Sequence, residues 1–184
     1  MGVGTMIIFI AMILVAAVAA SVLIGTANKV REQAQNTGDQ AINNVASGFL
    51  VQDVTGTVNA AFTNITSLTI QMRLQAGSPS INMDQVTIRY VSGTTSEMLA
   101  FSETIATGDE DVNYAAKTTA SDANTWKTDN HVVAQGDLIT VTIDGIALGH
   151  TAAAALKIIP SYGTSTTVSF ITPSLYYTKL VNLR

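Results

Sequence analysis

No cysteine occurs among the 184 residues, which excludes disulfide staples and any thiolate metal site. Charge is scarce as well: 12% of the side chains are Asp, Glu, Lys or Arg, and the formal net charge is −4. A nucleic-acid partner demands a basic face to meet the phosphates, so this balance argues for no nucleic acid. Familiar catalytic signatures are missing too. There is no Gly-x-Ser-x-Gly elbow, no phosphate loop ending in Gly-Lys-Ser/Thr and no His-Glu-x-x-His helix. His131 and His150 are the only imidazoles and lie in no recognisable constellation; both read as surface or loop histidines. The chain is expected not to be an enzyme and to use no cofactor.

What is present starts at the N-terminus. From Met6 to Ile24 only Ser21 is polar, and no charge precedes Lys29. A secretory signal peptide has a basic n-region and an apolar core of roughly 7–15 residues. Here no Lys or Arg precedes the run, and the run is 19 residues long. At 1.5 Å per residue it reaches roughly 28 Å, close to the hydrocarbon thickness of a bilayer. Its eleven Ile, Leu, Val and Phe residues favour insertion by ~3–7 kcal/mol.

The helical pattern continues past that run. No proline lies between Ala27 and Val51, and Ala27, Val30, Ala34, Ala41, Val45 and Phe49 form a narrow stripe at helical spacing, with Lys29, Arg31, Glu32, Gln33, Gln35 and Asp39 off it. Gly38 weakens the run by about 1 kcal/mol relative to alanine. A continuous helix from about Thr5 to about Phe49 would be on the order of 65 Å long. Apolar all round at one end and striped at the other, such a rod requires a membrane or many parallel neighbours. Ala16, Ala17, Ala19, Ala20, Ser21 and Gly25 supply small-xxx-small pairs that let helix backbones approach closely. The expected self-packing core comprises Ile7, Phe9, Ile10, Ile13, Leu14, Ala16, Ala17, Ala20, Leu23, Ile24, Val30, Ala34, Ala41 and Val45.

After Val51 the period shifts from about 3.6 to 2. "SLTIQMRL" (67–74) alternates Leu68, Ile70, Met72 and Leu74 against polar partners, and "QVTIRYV" (85–91) does the same with Val86, Ile88 and Tyr90. "MLAFSETI", "DLITVTID", "ALKIIP" and "TTVSFIT" are four further strand candidates, and Asp53 to Phe62 a seventh. Short strands punctuated by Gly, Pro, Asn and Asp favour an antiparallel sandwich over a parallel α/β sheet. The span from Ile105 to Val132 is polar and almost aperiodic. It reads either as an outward surface loop or as a hairpin tucked down by Trp126. Within it, Asp109, Glu110 and Asp111 are weak metal candidates, because a calcium loop spaces its acids at alternate positions and closes with a Glu. Three adjacent acids read first as a solvated turn. Asn64-Ile65-Thr66 is the only N-glycosylation acceptor in the chain.

"GVGTMIIFIAMILVAAVAASVLIGT" (2–26) resembles, nearly residue for residue over 25 positions, the mature N-terminus of the archaeal flagellins (archaellins), subunits of the archaellum filament. The likeness continues in "VASGFLVQDVTGTVN" (45–59) and "NITSLTIQMRLQAGSPSINMDQVTIRY" (64–90), and thins after Val91 to "GDLITVTID" and "TVSFITP". It implies an α+β chain: a long N-terminal hydrophobic helix over 1–50, membrane-spanning before assembly, then an immunoglobulin-like antiparallel β-sandwich over 51–184. It also implies a structural subunit that polymerises through its helix, with copies of itself or paralogous archaellins, into a rotating extracellular filament for swimming. A prepilin-type peptidase and a membrane assembly platform with an ATPase are implied partners, and the cytoplasmic membrane a transient residence. Asn64 becomes a glycosylation candidate, since the family is commonly modified. Family members are made with a short basic leader. None precedes Met1 here, so the chain is read as processed or as starting downstream of its leader. Two alternatives stay open. An adhesive archaeal type IV-like pilin shares the helical core, although many type IV pilins carry a glutamate where Thr5 stands. A membrane-anchored monomeric binding domain would leave the 27–49 stripe without a partner.

Overall fold

The computed structural model describes residues 2–102, 113–120, 126–127 and 130–184. Helix α1 (Gly2–Ala46) comes first, followed by β1 (Phe49–Val58), β2 (Ile65–Leu74), β3 (Ile81–Asn82), a 3-10 turn (Met83–Gln85), β4 (Thr87–Ser92) and β5 (Thr95–Phe101). Then come β6 (Asn113–Ala120), β7 (Trp126–Lys127), β8 (Asn130–Val133), β9 (Leu138–Leu148), β10 (Ala153–Ile159), β11 (Thr166–Ile171) and β12 (Leu180–Asn182). The chain divides into two compact units, Met1–Ile42 and Asn43–Arg184, so the division falls inside α1.

In the second unit nine strands form one sheet in the order β11-β10-β4-β5-β6-β9-β2-β1-β12, and β3, β8 and β7 form a small second sheet. Neighbours in the large sheet are antiparallel except β5 and β6, which run parallel through Ala100↔Asn113 and Phe101↔Tyr114. The sheet folds back on itself. Thr166, on the β11 edge, donates from Oγ1 to the Phe49 carbonyl of β1 at 2.7 Å, although the two strands lie near opposite ends of the order. Alternating residues of both halves then share one core: Val54, Leu68, Ile70, Met72, Ile139 and Val141 from one side, Ile88, Tyr90, Leu156, Ile158 and Phe170 from the other.

The strand expectations meet the structure as follows. The first strand is Phe49–Val58 rather than Asp53 to Phe62. Phe49, Val51 and Val54 are buried, and the chain turns back where the Asn59 side chain accepts the Thr63 N–H at 2.9 Å. Of the two readings of 105–132, the pairing of β7 with β8 at Trp126↔His131 agrees with the hairpin rather than the single loop, and β6 adds a strand to the main sheet. The large sheet is antiparallel-dominated as expected, with β5–β6 a parallel pair among the described strands.

The helix stops at Ala46 rather than near Phe49 because the next residues are claimed by the sheet unit. Ser47 still donates its N–H to Asn43 O at 2.9 Å. Its own carbonyl accepts from the Thr164 N–H at 3.0 Å and the Thr164 hydroxyl at 3.2 Å, and Gly48 O accepts from Gln75 N–H at 2.9 Å. Gly163 makes this approach possible. Its φ is +97°, and a Cβ there would lie 2.3 Å from the Ser47 carbonyl oxygen.

Candidate assembly surface

Helix α1 has no buried residue. Every side chain expected in the self-packing core stands on it and is exposed, from 52% at Ile13 to 78% at Val45 among the large ones. At about 100° per residue, Ile7, Ile10, Leu14 and Ala17 cover one side of its first half, Phe9, Ile13, Ala16 and Ala20 another, and Ile8, Met12 and Val15 a third. No direction is left polar. In the second half Val30, Ala34, Ala41 and Val45 fall within about 60° of one another, while Glu32 and Asp39 project on the opposite side. The helix is long and apolar enough to cross a membrane.

Its three threonine hydroxyls are already matched. Thr5, Thr26 and Thr37 turn their hydroxyls back onto the carbonyls of Gly2 (2.9 Å), Leu23 (2.9 Å) and Gln33 (2.8 Å). Those three hydroxyls therefore bring no unpaired donor into a dry environment. Thr5 thereby behaves as a nearly apolar side chain. The glycines of α1 face open space, so they leave flat patches where another backbone can approach.

The remaining candidates lie on the sheet unit. Asn64 is half-buried in the β1–β2 turn beside Gly149, and its carbonyl accepts the Asn59 N–H at 2.9 Å. Thr66, the third sequon residue, is exposed and donates to Thr57 O at 3.3 Å. Asp109, Glu110 and Asp111 lie outside the described residues. Among the described residues no group of three or more His, Asp or Glu side chains is placed to hold a metal ion.

The histidines are not both surface groups. His131 is buried, its Nδ1 2.7 Å from Asp84 Oδ1 and its ring 4.6 Å from that of Phe101. The 3-10 turn carrying Asp84 is capped by Asn82, whose Oδ1 accepts the Asp84 N–H at 2.9 Å. The buried Tyr114 hydroxyl of β6 donates to the Met83 and Val86 carbonyls at 3.2 and 2.8 Å. Burial, and then the Asp84 charge, push its phenol pKa well above the ordinary value. These groups tie β6 and β8 to the turn. The Asn82-x-Asp84 spacing was the signal available in the sequence. His150 is exposed and stacks on the Tyr176 ring at 4.5 Å.

Comparison with known proteins places the chain among similar ones. A family model described as archaeal-type flagellin matches residues 1–170. Flagellin B1 of Methanococcus voltae is 32% identical over 204 residues, covering 100% of this chain and 94% of the relative. Flagellin B2 of Methanocaldococcus jannaschii is 32% identical over 196 residues, covering 96% and 89%. Among solved structures, the archaeal flagellum of Methanospirillum hungatei strain JF1 superposes with a TM-score of 0.70 at 17% identity, over 98% of this chain and 99% of that one. The crystal structure of archaeal flagellin FlaB1 from Methanocaldococcus jannaschii gives 0.65 at 20%, over 75% and 97%. At these identities the two structures speak for the fold.

Proposed function

The chain belongs to the archaeal-type flagellins, and from that premise we propose that α1 is the surface through which its copies pack into the core of their filament. The protein is a structural subunit of the archaellum, a cell-surface filament of motility assembled from copies of such chains. One observation carries the role of α1: a 45-residue helix with no buried side chain and an apolar surface in every direction over its first half. In water that surface has no stable solvent. In the filament core, neighbouring helices of the same kind supply it, packed through Ile7, Phe9, Ile10, Ile13, Leu14, Ala16, Ala17, Ala20, Leu23 and Ile24. Val30, Ala34, Ala41 and Val45 continue the contact as a seam.

Before assembly the same helix resides in the cytoplasmic membrane, which accounts for the absence of charge before Lys29. A prepilin-type peptidase removes a leader, and a membrane platform with an ATPase draws subunits from lipid into the filament. Residues from Phe49 onward form the outer domain, and Asn64 carries a glycan. The self-matched hydroxyls of Thr5 and Thr26 support the transfer, because neither lipid nor core has to supply them a partner.

The test is Ala17→Arg or Ala20→Glu in the native host. Both are expected to abolish filaments while the sheet unit remains folded, since a charge in that core has neither water nor a counter-charge. Filaments of normal diameter from either variant would overturn the packed-core proposal. Deleting the gene is expected to abolish swimming, restored by the wild-type gene; normal swimming would point instead to an adhesive pilin or to a minor paralogue masked by another archaellin.

A further inference from the structure

We propose that Arg31 of one copy of this chain pairs with Asp39 of the next, and that this pair fixes the axial offset at which neighbouring α1 helices pack. It rests on the packed-core reading above and adds what that reading leaves open, the register of the contact. Between Met6 and Ile24 the helix carries one polar side chain, Ser21. Sliding two such stretches past each other by a turn exchanges aliphatic contacts for aliphatic contacts, so the apolar segment selects a bundle without selecting a register. A charge can select one, as a single polar residue does at the seam of a coiled coil. The charged side chains of α1 all lie between Lys29 and Asp39: Lys29 and Arg31 are basic, Glu32 and Asp39 acidic.

Lys29 and Glu32 stand three places apart, the spacing at which opposite charges meet on one helix. Arg31 and Asp39 have no such neighbour, since no residue three or four places from either is charged. Both are exposed, and among the described residues neither lies within ion-pair distance of an opposite charge. They belong to the same unit, Met1–Ile42, on one continuous helix. Their separation is about 12 Å along the axis and about 80° around it. Each therefore stands on its own flank, Arg31 beside the Val30 and Ala34 seam and Asp39 away from it. Parallel copies in register would bring like charges to one level. An offset of about 12 Å instead sets Arg31 of one copy level with Asp39 of the other. A second copy is thus the partner that carries the complementary charge at the matching height. Because the two flanks differ, the contact is heterologous and repeats from copy to copy along a helical array. The guanidinium fork holds a carboxylate through two parallel N–H donors, which makes the match sharp in position. Its effect is on specificity more than on affinity, because wrong offsets are penalised by like charges.

The test supplies the full-length chain, wild type or variant, to cells that lack the native gene and measures pelletable filament. Arg31→Glu and Asp39→Arg are each expected to lower the yield by about tenfold, because each sets like charges together. The double swap Arg31→Glu/Asp39→Arg rebuilds the pair in reverse and is expected to return the yield to within about twofold of wild type. Lys29→Glu/Asp39→Arg keeps the same net charge without rebuilding the pair, and should stay as low as Asp39→Arg alone. Single variants that pellet like the wild type, a double swap no better than its singles, or equal rescue by the Lys29→Glu combination would each overturn the pair while leaving the packed core standing. No pelletable filament from the wild-type chain would sink the packed core and this inference together.

Discussion

Replacing Gly163 by alanine tests the junction between α1 and the sheet. The backbone there sits at φ +97°, a region that costs an L-residue about 1–2 kcal/mol. The new Cβ would meet the Ser47 carbonyl oxygen at 2.3 Å, Ser47 Cβ at 2.5 Å and Ser47 C at 2.8 Å. These are backbone and first-atom contacts, so no flexible tip can swing away, and the overpacking adds about 1–3 kcal/mol. Moving Ser47 also strains the two hydrogen bonds its carbonyl accepts from Thr164, each worth about 1 kcal/mol. The expected loss is about 3–5 kcal/mol, a large part of an ordinary domain's 5–15 kcal/mol. Gly77→Ala is the matched control: its φ is +85°, but a Cβ there meets nothing within 4 Å. It should lose only about 1–2 kcal/mol, the strain alone. Urea unfolding of the detergent-solubilised full chain, followed by circular dichroism in the β region, measures both. Equal losses for the two variants would refute the close approach of residues 47 and 163.

Tyr114→Phe leaves the Met83 and Val86 carbonyls without their donor and should cost about 1–3 kcal/mol in the same unfolding assay. The raised folded pKa of Tyr114 gives a pH signature as well. Its contribution is complete below the unfolded phenol value of 10.0 and fades above it, because the unfolded chain ionises first. The wild-type chain should lose up to about 1.4 kcal/mol per pH unit from this group beyond that point. Tyr114→Phe should lose correspondingly less, while Tyr90, also raised by burial, keeps its own share. Asp84→Ala removes the carboxylate beside His131 and should cost about 1–2 kcal/mol, read by the shift in urea midpoint at constant slope. Asn64→Gln in the native host should abolish any glycan mass on subunits by intact-mass spectrometry; an unchanged glycosylated mass would place the modification elsewhere.

The strands that alternate cleanly were legible. Leu68, Ile70, Met72 and Leu74, like Val86, Ile88 and Tyr90, are buried where period 2 put them. Helix α1 was legible for a different reason: nineteen residues with one polar side chain admit few other structures in lipid or in a bundle. β6 escaped because Asn113–Ala120 contains alanine, lysine and threonine, and its place is set by pairing with β9 rather than by its own pattern. The end of α1 escaped for a similar reason. Val45 and Phe49 continue the helical stripe, but Thr164, more than a hundred residues on, binds Ser47 and ends it. Periodicity reports the face a segment presents, and long-range hydrogen bonds decide where the segment stops.

On the proposed route, moving α1 from lipid into a bundle of like helices would exchange one apolar environment for another, so the hydrophobic term would be nearly silent in that step. What remains along α1 is closer packing, through pairs such as Ala16 with Ala20 and Ala17 with Ser21, where each atom contact contributes only ~0.1–0.2 kcal/mol.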